Sequence, residues 1–169
     1  MTDPQIHLLL TCVTIIVSII AIVVAGKARS AANKFRGDTL KLSQAQVEMG
    51  IRSQVNEAKH RIEDFLLTHG DFLAKTEKGG TKITKTEKER ADRLKLIGNG
   101  RVEGHLNALD EACQKYNDDK VDKVRFQKAW QTEIRQAVKE KSHNEFLQPG
   151  HTYHALMGVY DEWENKEKG

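Results

Sequence analysis

From residue 6 to residue 26 the chain carries no charged side chain, and beyond that point apolar residues recur only at helical spacing. The sequence therefore divides into an apolar N-terminal segment and a long polar, periodic remainder. Residues 6–25 read IHLLLTCVTIIVSIIAIVVA. Some twenty helical residues rise about 30 Å, the thickness of a bilayer's hydrocarbon core. A cleaved signal peptide would want a basic leading region and a shorter apolar core. Residues 1–5 contain no Lys or Arg, so the run reads as a transmembrane helix over 6–26.

The remainder predicts helices by its 3.6-residue period. A basic stem over 27–37 ends at Gly37, a soft break. A long helix is then expected over 38–68, with Asp38 as N-cap, Gly70 as stop, and Val47, Ile51, Val55, Ala58, Ile62, Phe65 and Leu66 on its apolar face. Gly79 and Gly80 mark a loop over about 70–84, expected to be mobile at its tip. Thr84 with Glu87 three residues on reads as a capping box opening a helix over 85–116. Within it Gly98, Gly100 and Gly104 should each weaken the helix by about 1 kcal/mol relative to alanine. They mark a bend or a close approach of other backbone. Asn117-Asp118-Asp119 reads as a turn, and Asp122 caps a helix to about Glu140 that buries Val124, Phe126, Ala129, Trp130, Ile134, Ala137 and Val138. After Pro149-Gly150, a last helix over 151–165 carries Tyr153, Leu156, Met157, Tyr160 and Trp163 into the core. The expected class is all-α: one N-terminal transmembrane helix followed by a cytosolic helical bundle over 38–169.

Charge orients this plan. Lys27, Arg29, Lys34 and Arg36 follow the apolar run, and no basic side chain precedes it. The positive-inside rule puts the C-terminal helices in the cytosol and residues 1–5 outside, which in a bacterium means the inner membrane. The same four cations can meet anionic headgroups, at about 1 kcal/mol each near the surface. Asp3 is the only acid ahead of the run, so the remainder holds all 27 basic residues and 23 of the 24 acidic ones. So mixed a balance is weak support for a nucleic-acid surface, which needs concentrated positive charge.

The apolar run has a face of its own. His7, Thr11, Thr14, Ser18, Ala21 and Ala25 are spaced alternately by four and three, and Ala28 and Ala32 extend the line. In lipid, helices associate through small side chains and hydroxyl hydrogen bonds. The line reads either as a helix–helix or pore seam of a homo-oligomer, or as the ordinary composition of a single span.

Chemistry is sparse. No phosphate loop, zinc-protease or nucleophile-elbow motif occurs. Cys12 and Cys113 have no ligand spacing, and the acids at 117–119 lack the Gly and distal Glu of an EF-hand. His151 and His154 are a helix-start pair that could ligate a metal only if carboxylates converged on them. No cofactor, metal or small-molecule substrate is expected. Arg101 and His105, in GRVEGH, would share a helix face at i, i+4 and form the weak candidate catalytic pair.

Two stretches, 105–138 and 151–164, resemble the C-terminal part of uncharacterised bacterial helical proteins. The likeness rests on the run Leu106-Asn107-Ala108-Leu109-Asp110 and on Glu111, Ala112, Cys113, Tyr116, Asp119, Lys120, Asp122, Arg125, Phe126, Glu133 and Ile134. It covers under a third of the chain and looks like a packing signature. In size, order and helical content the whole is also similar to the HEPN-like membrane accessory proteins of type VI CRISPR loci. That resemblance implies a membrane pore assisting phage defence. Ribonucleases of the HEPN group place four to six residues between an Arg and a His. Here seven residues separate Arg52 from His60 and Arg61 from His69, and three separate Arg101 from His105, so none has that spacing. The other expected roles are a monomeric membrane-tethered adaptor for a cytosolic protein or RNA partner, and a diverged HEPN-type ribonuclease.

Overall fold

The computed structural model describes residues 3–77, 83–148, 150 and 152–168, of which 3–17, 19, 167 and 168 by helical backbone alone. Among these residues the chain is all-helical: α1 (Asp3–Glu77), α2 (Lys85–Asn117), α3 (Lys123–Lys139), a 3-10 turn (Lys141–His143) and α4 (His154–Lys168). The chain divides into two compact units, Met1–Ser43 and Gln44–Gly169.

In the first unit every described side chain, from Ser18 and Ile20 onward, is exposed. Among the described residues no helix is long and apolar enough to cross a membrane. The side chains at 6–17 and 19, most of the run read as a transmembrane helix, lie outside the described residues.

The second unit is a helical bundle whose faces follow the helical repeat. Phe126, Trp130, Ile134 and Ala137 line the buried face of α3. Leu106, Leu109, Ala112, Cys113 and Tyr116 do so on α2, with Leu156, Val159 and Trp163 from α4 and Ile51 and Val55 from α1. The core is aromatic at its centre. Tyr116 meets Trp163 edge-on at 5.6 Å between ring centroids and tilts against Phe126 at 5.4 Å. The Trp163 indole donates to the Tyr116 hydroxyl at 3.3 Å, and that hydroxyl donates to Glu162 at 3.2 Å, so both polar tips are satisfied. Truncating a buried Trp in such a setting costs about 3–5 kcal/mol.

Helix ends set by local chemistry fall where the residues place them. The Thr84 hydroxyl accepts from the Glu87 amide at 3.3 Å, and Glu87 accepts from the Thr84 amide at 2.9 Å, completing the capping box. The Asp122 carboxylate accepts from the Arg125 amide at 3.0 Å and opens α3. At the end of α2, Asp119 takes φ 57°, and the amides of Lys120 and Asp119 close on the carbonyls of Lys115 and Tyr116. This is a Schellman stop made with Asp in the left-handed position usually held by glycine.

Other expectations are corrected. Gly37 does not break α1, Asp38 is interior to it, and Gly70 does not stop it. The helix runs on to Glu77 because its last turns find partners on α2. The Arg90 guanidinium lies 4.8 Å above the Phe72 ring, and Lys95 pairs with Glu77 at 3.1 Å. The expected 70–84 loop thus loses its first half to helix, and 78–82 lie outside the described residues. The three glycines of α2 interrupt nothing: α2 is a single helix from Lys85 to Asn117. Val124 is 80% exposed, and Ala129 and Leu66 face outward, so none of them joins the core. The last helix starts at His154 rather than 151.

Candidate functional site

The residues singled out for function fall in two places, one in each unit. In the first unit, Ser18, Ala21 and Ala25 of the seam are exposed on α1, and His7, Thr11 and Thr14 lie outside the described side chains. Lys27, Arg29, Lys34 and Arg36 are exposed just beyond. The stretch is apolar at 20–25 and carries its first cation at Lys27.

In the second unit, Arg101 and His105 share the face of α2 but not a site. The Arg101 guanidinium turns to α1, where it donates to the Arg61 carbonyl and lies 5.2 Å from the centre of the Phe65 ring. His105 turns inward and is only 8% exposed. Its Nε2 stands 3.7 Å from Glu133 Oε1 of α3, and Lys59 Nζ of α1 approaches the same oxygen at 3.7 Å. Both distances exceed a hydrogen bond. His105 Nε2 and Glu133 Oε1 are buried without a hydrogen-bond partner. A general acid or base must reach the proton it transfers. His105 is enclosed, and Arg101 is engaged on another element, so the two are not poised on one phosphate.

The His105 ring holds the Glu133 carboxyl below the ordinary carboxylate range, against the opposing effect of burial and with help from the Lys59 ammonium. The group therefore acts as a charged joint between α1, α2 and α3. Neither Lys59 nor Glu133 could be found as its members from sequence, since helical spacing offers Lys59 the local partner Glu63 instead and Glu133 belongs only to a packing pattern. A second joint of this kind ties α1 to the start of α3. Glu48 accepts from Arg125 Nη2 at 2.7 Å and from the Asp122 amide at 3.3 Å.

Cys113 is fully buried. Burial first, and the Asp110 carboxylate second, push its thiol well above the usual range, so it is a packing residue and not a nucleophile. His154 is exposed at the start of α4, and His151, its expected partner, lies outside the described residues. Among the described residues, no group of three or more His, Cys, Asp or Glu side chains is arranged to hold a metal ion.

The bundle also has an apolar exterior. Leu66 and Leu67 on α1 are 56% and 86% exposed, and Leu96 and Ile97 on α2 are 75% and 49% exposed. Along the chain they lie within two residues of Phe65 of α1 and Gly98 of α2, which meet each other. No family model matches the chain, and no curated protein or solved structure matches it either.

Proposed function

We propose that this chain is a membrane-anchored helical protein that self-associates through its apolar helix. One observation carries the reading: an uncharged apolar run over 6–26 is followed at once by Lys27, Arg29, Lys34 and Arg36. The run is of spanning length, and the cations orient it with the bundle in the cytosol at the bacterial inner membrane. Small and hydroxyl side chains from His7 to Ala25 supply the contact line. The likeness in plan to the membrane accessory proteins of type VI CRISPR loci extends the proposal to a pore in antiphage defence.

The test has two stages on the full chain. Membranes are washed at alkaline pH, and the retained protein is then weighed in detergent by light scattering with the detergent subtracted. Retention and a mass of several subunits are expected. Release by the wash would remove the anchor. A monomer across a range of concentrations would remove self-association and any pore built from it. Thr14→Leu with Ser18→Leu should lower the mass, and an unchanged assembly would sink the seam.

A second reading is favoured by Leu66, Leu67, Leu96 and Ile97. In it the chain is a monomeric tethered adaptor whose bundle presents these side chains to a cytosolic protein. Exposed apolar side chains that join into one patch mark interaction sites. A monomer in detergent would move this reading to first place.

A further inference from the structure

The stem that follows the apolar run is a helix with nothing of its own to lean on. Every side chain from Ala21 to Ser43 is exposed. An isolated helix of this length is marginal in water, and helices in proteins are stabilised chiefly by packing of one face. Here the segment also carries Gly26 and Gly37, which lower its intrinsic stability.

One face is prepared for packing. Ala28, Ala32, Phe35, Thr39 and Leu42 continue the alternating three and four spacing of Ser18, Ala21 and Ala25. Between residues 27 and 43 stand Lys27, Arg29, Lys34, Arg36, Asp38 and Lys41, and none of these charges falls on the line. Phe35 is 73% and Leu42 63% exposed, large areas to leave in water. Leu40, also exposed, lies off the line.

The period says what covers this face. Contacts on a straight helix in a globular groove drift with the 3.6-residue turn, whereas a sustained seven-residue repeat keeps to one seam only when helices supercoil about each other. The matching surface is a helix with the same repeat in the same register, which a parallel second copy supplies at every position. We propose that a second copy of this chain docks along Ala28, Ala32, Phe35, Thr39 and Leu42, forming a parallel coiled coil in the polar stem. This rests on the self-association in the proposed function and carries the contact past the apolar run.

Disulfide trapping in isolated membranes tests it, with the full chain carrying Cys12→Ser and Cys113→Ala. Single cysteines are introduced on the line by Ala28→Cys, Phe35→Cys and Leu42→Cys. Others are placed off it by Ser30→Cys, Gly37→Cys and Leu40→Cys, and one in the apolar run by Thr14→Cys. After oxidation with copper phenanthroline, the covalent dimer should be several-fold more abundant for the on-line positions than for the off-line ones. Equal trapping on and off the line would overturn the coiled coil. Trapping at Thr14→Cys alone would overturn it while leaving self-association through the apolar run intact. No trapping at any position would remove both.

Discussion

The Asp110 carboxylate, in the last third of α2, accepts the amide hydrogen of Leu156 in the first turn of α4 at 2.9 Å, across 46 residues of sequence. The first amides of a helix have no partner within it and carry the positive end of the helix dipole. Asp110 answers both needs from another element. The same residue therefore fixes where α4 begins and how it docks on α2.

Asp110→Ala should lower stability by about 1–2 kcal/mol, the range for a lost N-cap. Asp110→Asn keeps an acceptor oxygen and should lose less. Chemical denaturation of the three proteins checks this. Equal stability of all three would mean that the Leu156 amide is satisfied by water and that the carboxylate does not position α4.

The glycines of α2 should separate by context. A Cβ added at Gly98 would stand 3.0 Å from Phe65 Cε1, whereas one at Gly100 or Gly104 would meet nothing within 4 Å. Phe65 has little room to yield. It is 5% exposed, packed edge-on to His69 at 5.2 Å, with the Arg101 guanidinium above it. Gly100→Ala and Gly104→Ala should each raise stability by about 1 kcal/mol through helix propensity. Gly98→Ala should fall below both in thermal melting. If it matched them, the α1–α2 contact would be looser than these distances.

Stability should depend on acid through Glu133. Its carboxyl titrates below its unfolded value in the folded protein, chiefly because of the His105 ring and further through Lys59. The stabilisation is therefore complete above the unfolded carboxylate value, about pH 4.3, and is lost as pH falls through the folded value. Denaturation midpoints from about pH 3 to 6 should fall more steeply for the parent chain than for Glu133→Gln. Parallel acid limbs would show that the three-helix joint contributes nothing as a charge.

Cys113 should be silent toward thiol reagents in the folded protein. Its burial and the neighbouring Asp110 carboxylate disfavour the thiolate that such reagents need. In a Cys12→Ser background, labelling should be slow under native conditions and fast in strong denaturant, with a native rate that follows unfolding. Rapid native labelling would mean that the core around Tyr116 and Trp163 opens readily.

By itself the sequence determined the helices and those of their ends that are closed within a few residues. Thr84 and Glu87, Asp122 and Arg125, and the turn at 117–119 each satisfy backbone groups locally, so their chemistry is legible in order along the chain. The faces of Phe126, Trp130 and Ile134 are equally legible, because helical spacing alone brings them together. The uncharged run and its basic flank are properties of the sequence as well. Tertiary structure decided what depends on which faces meet. It carried α1 past Gly70 to Glu77 through Phe72 and Arg90, left Val124 outside, and sent Arg101 and His105 to different partners. Asp110, Lys59 and Glu133 acquire their roles only across helices. A side chain's partner beyond its own helix is set by the packing of several elements at once, and no spacing within one of them records it.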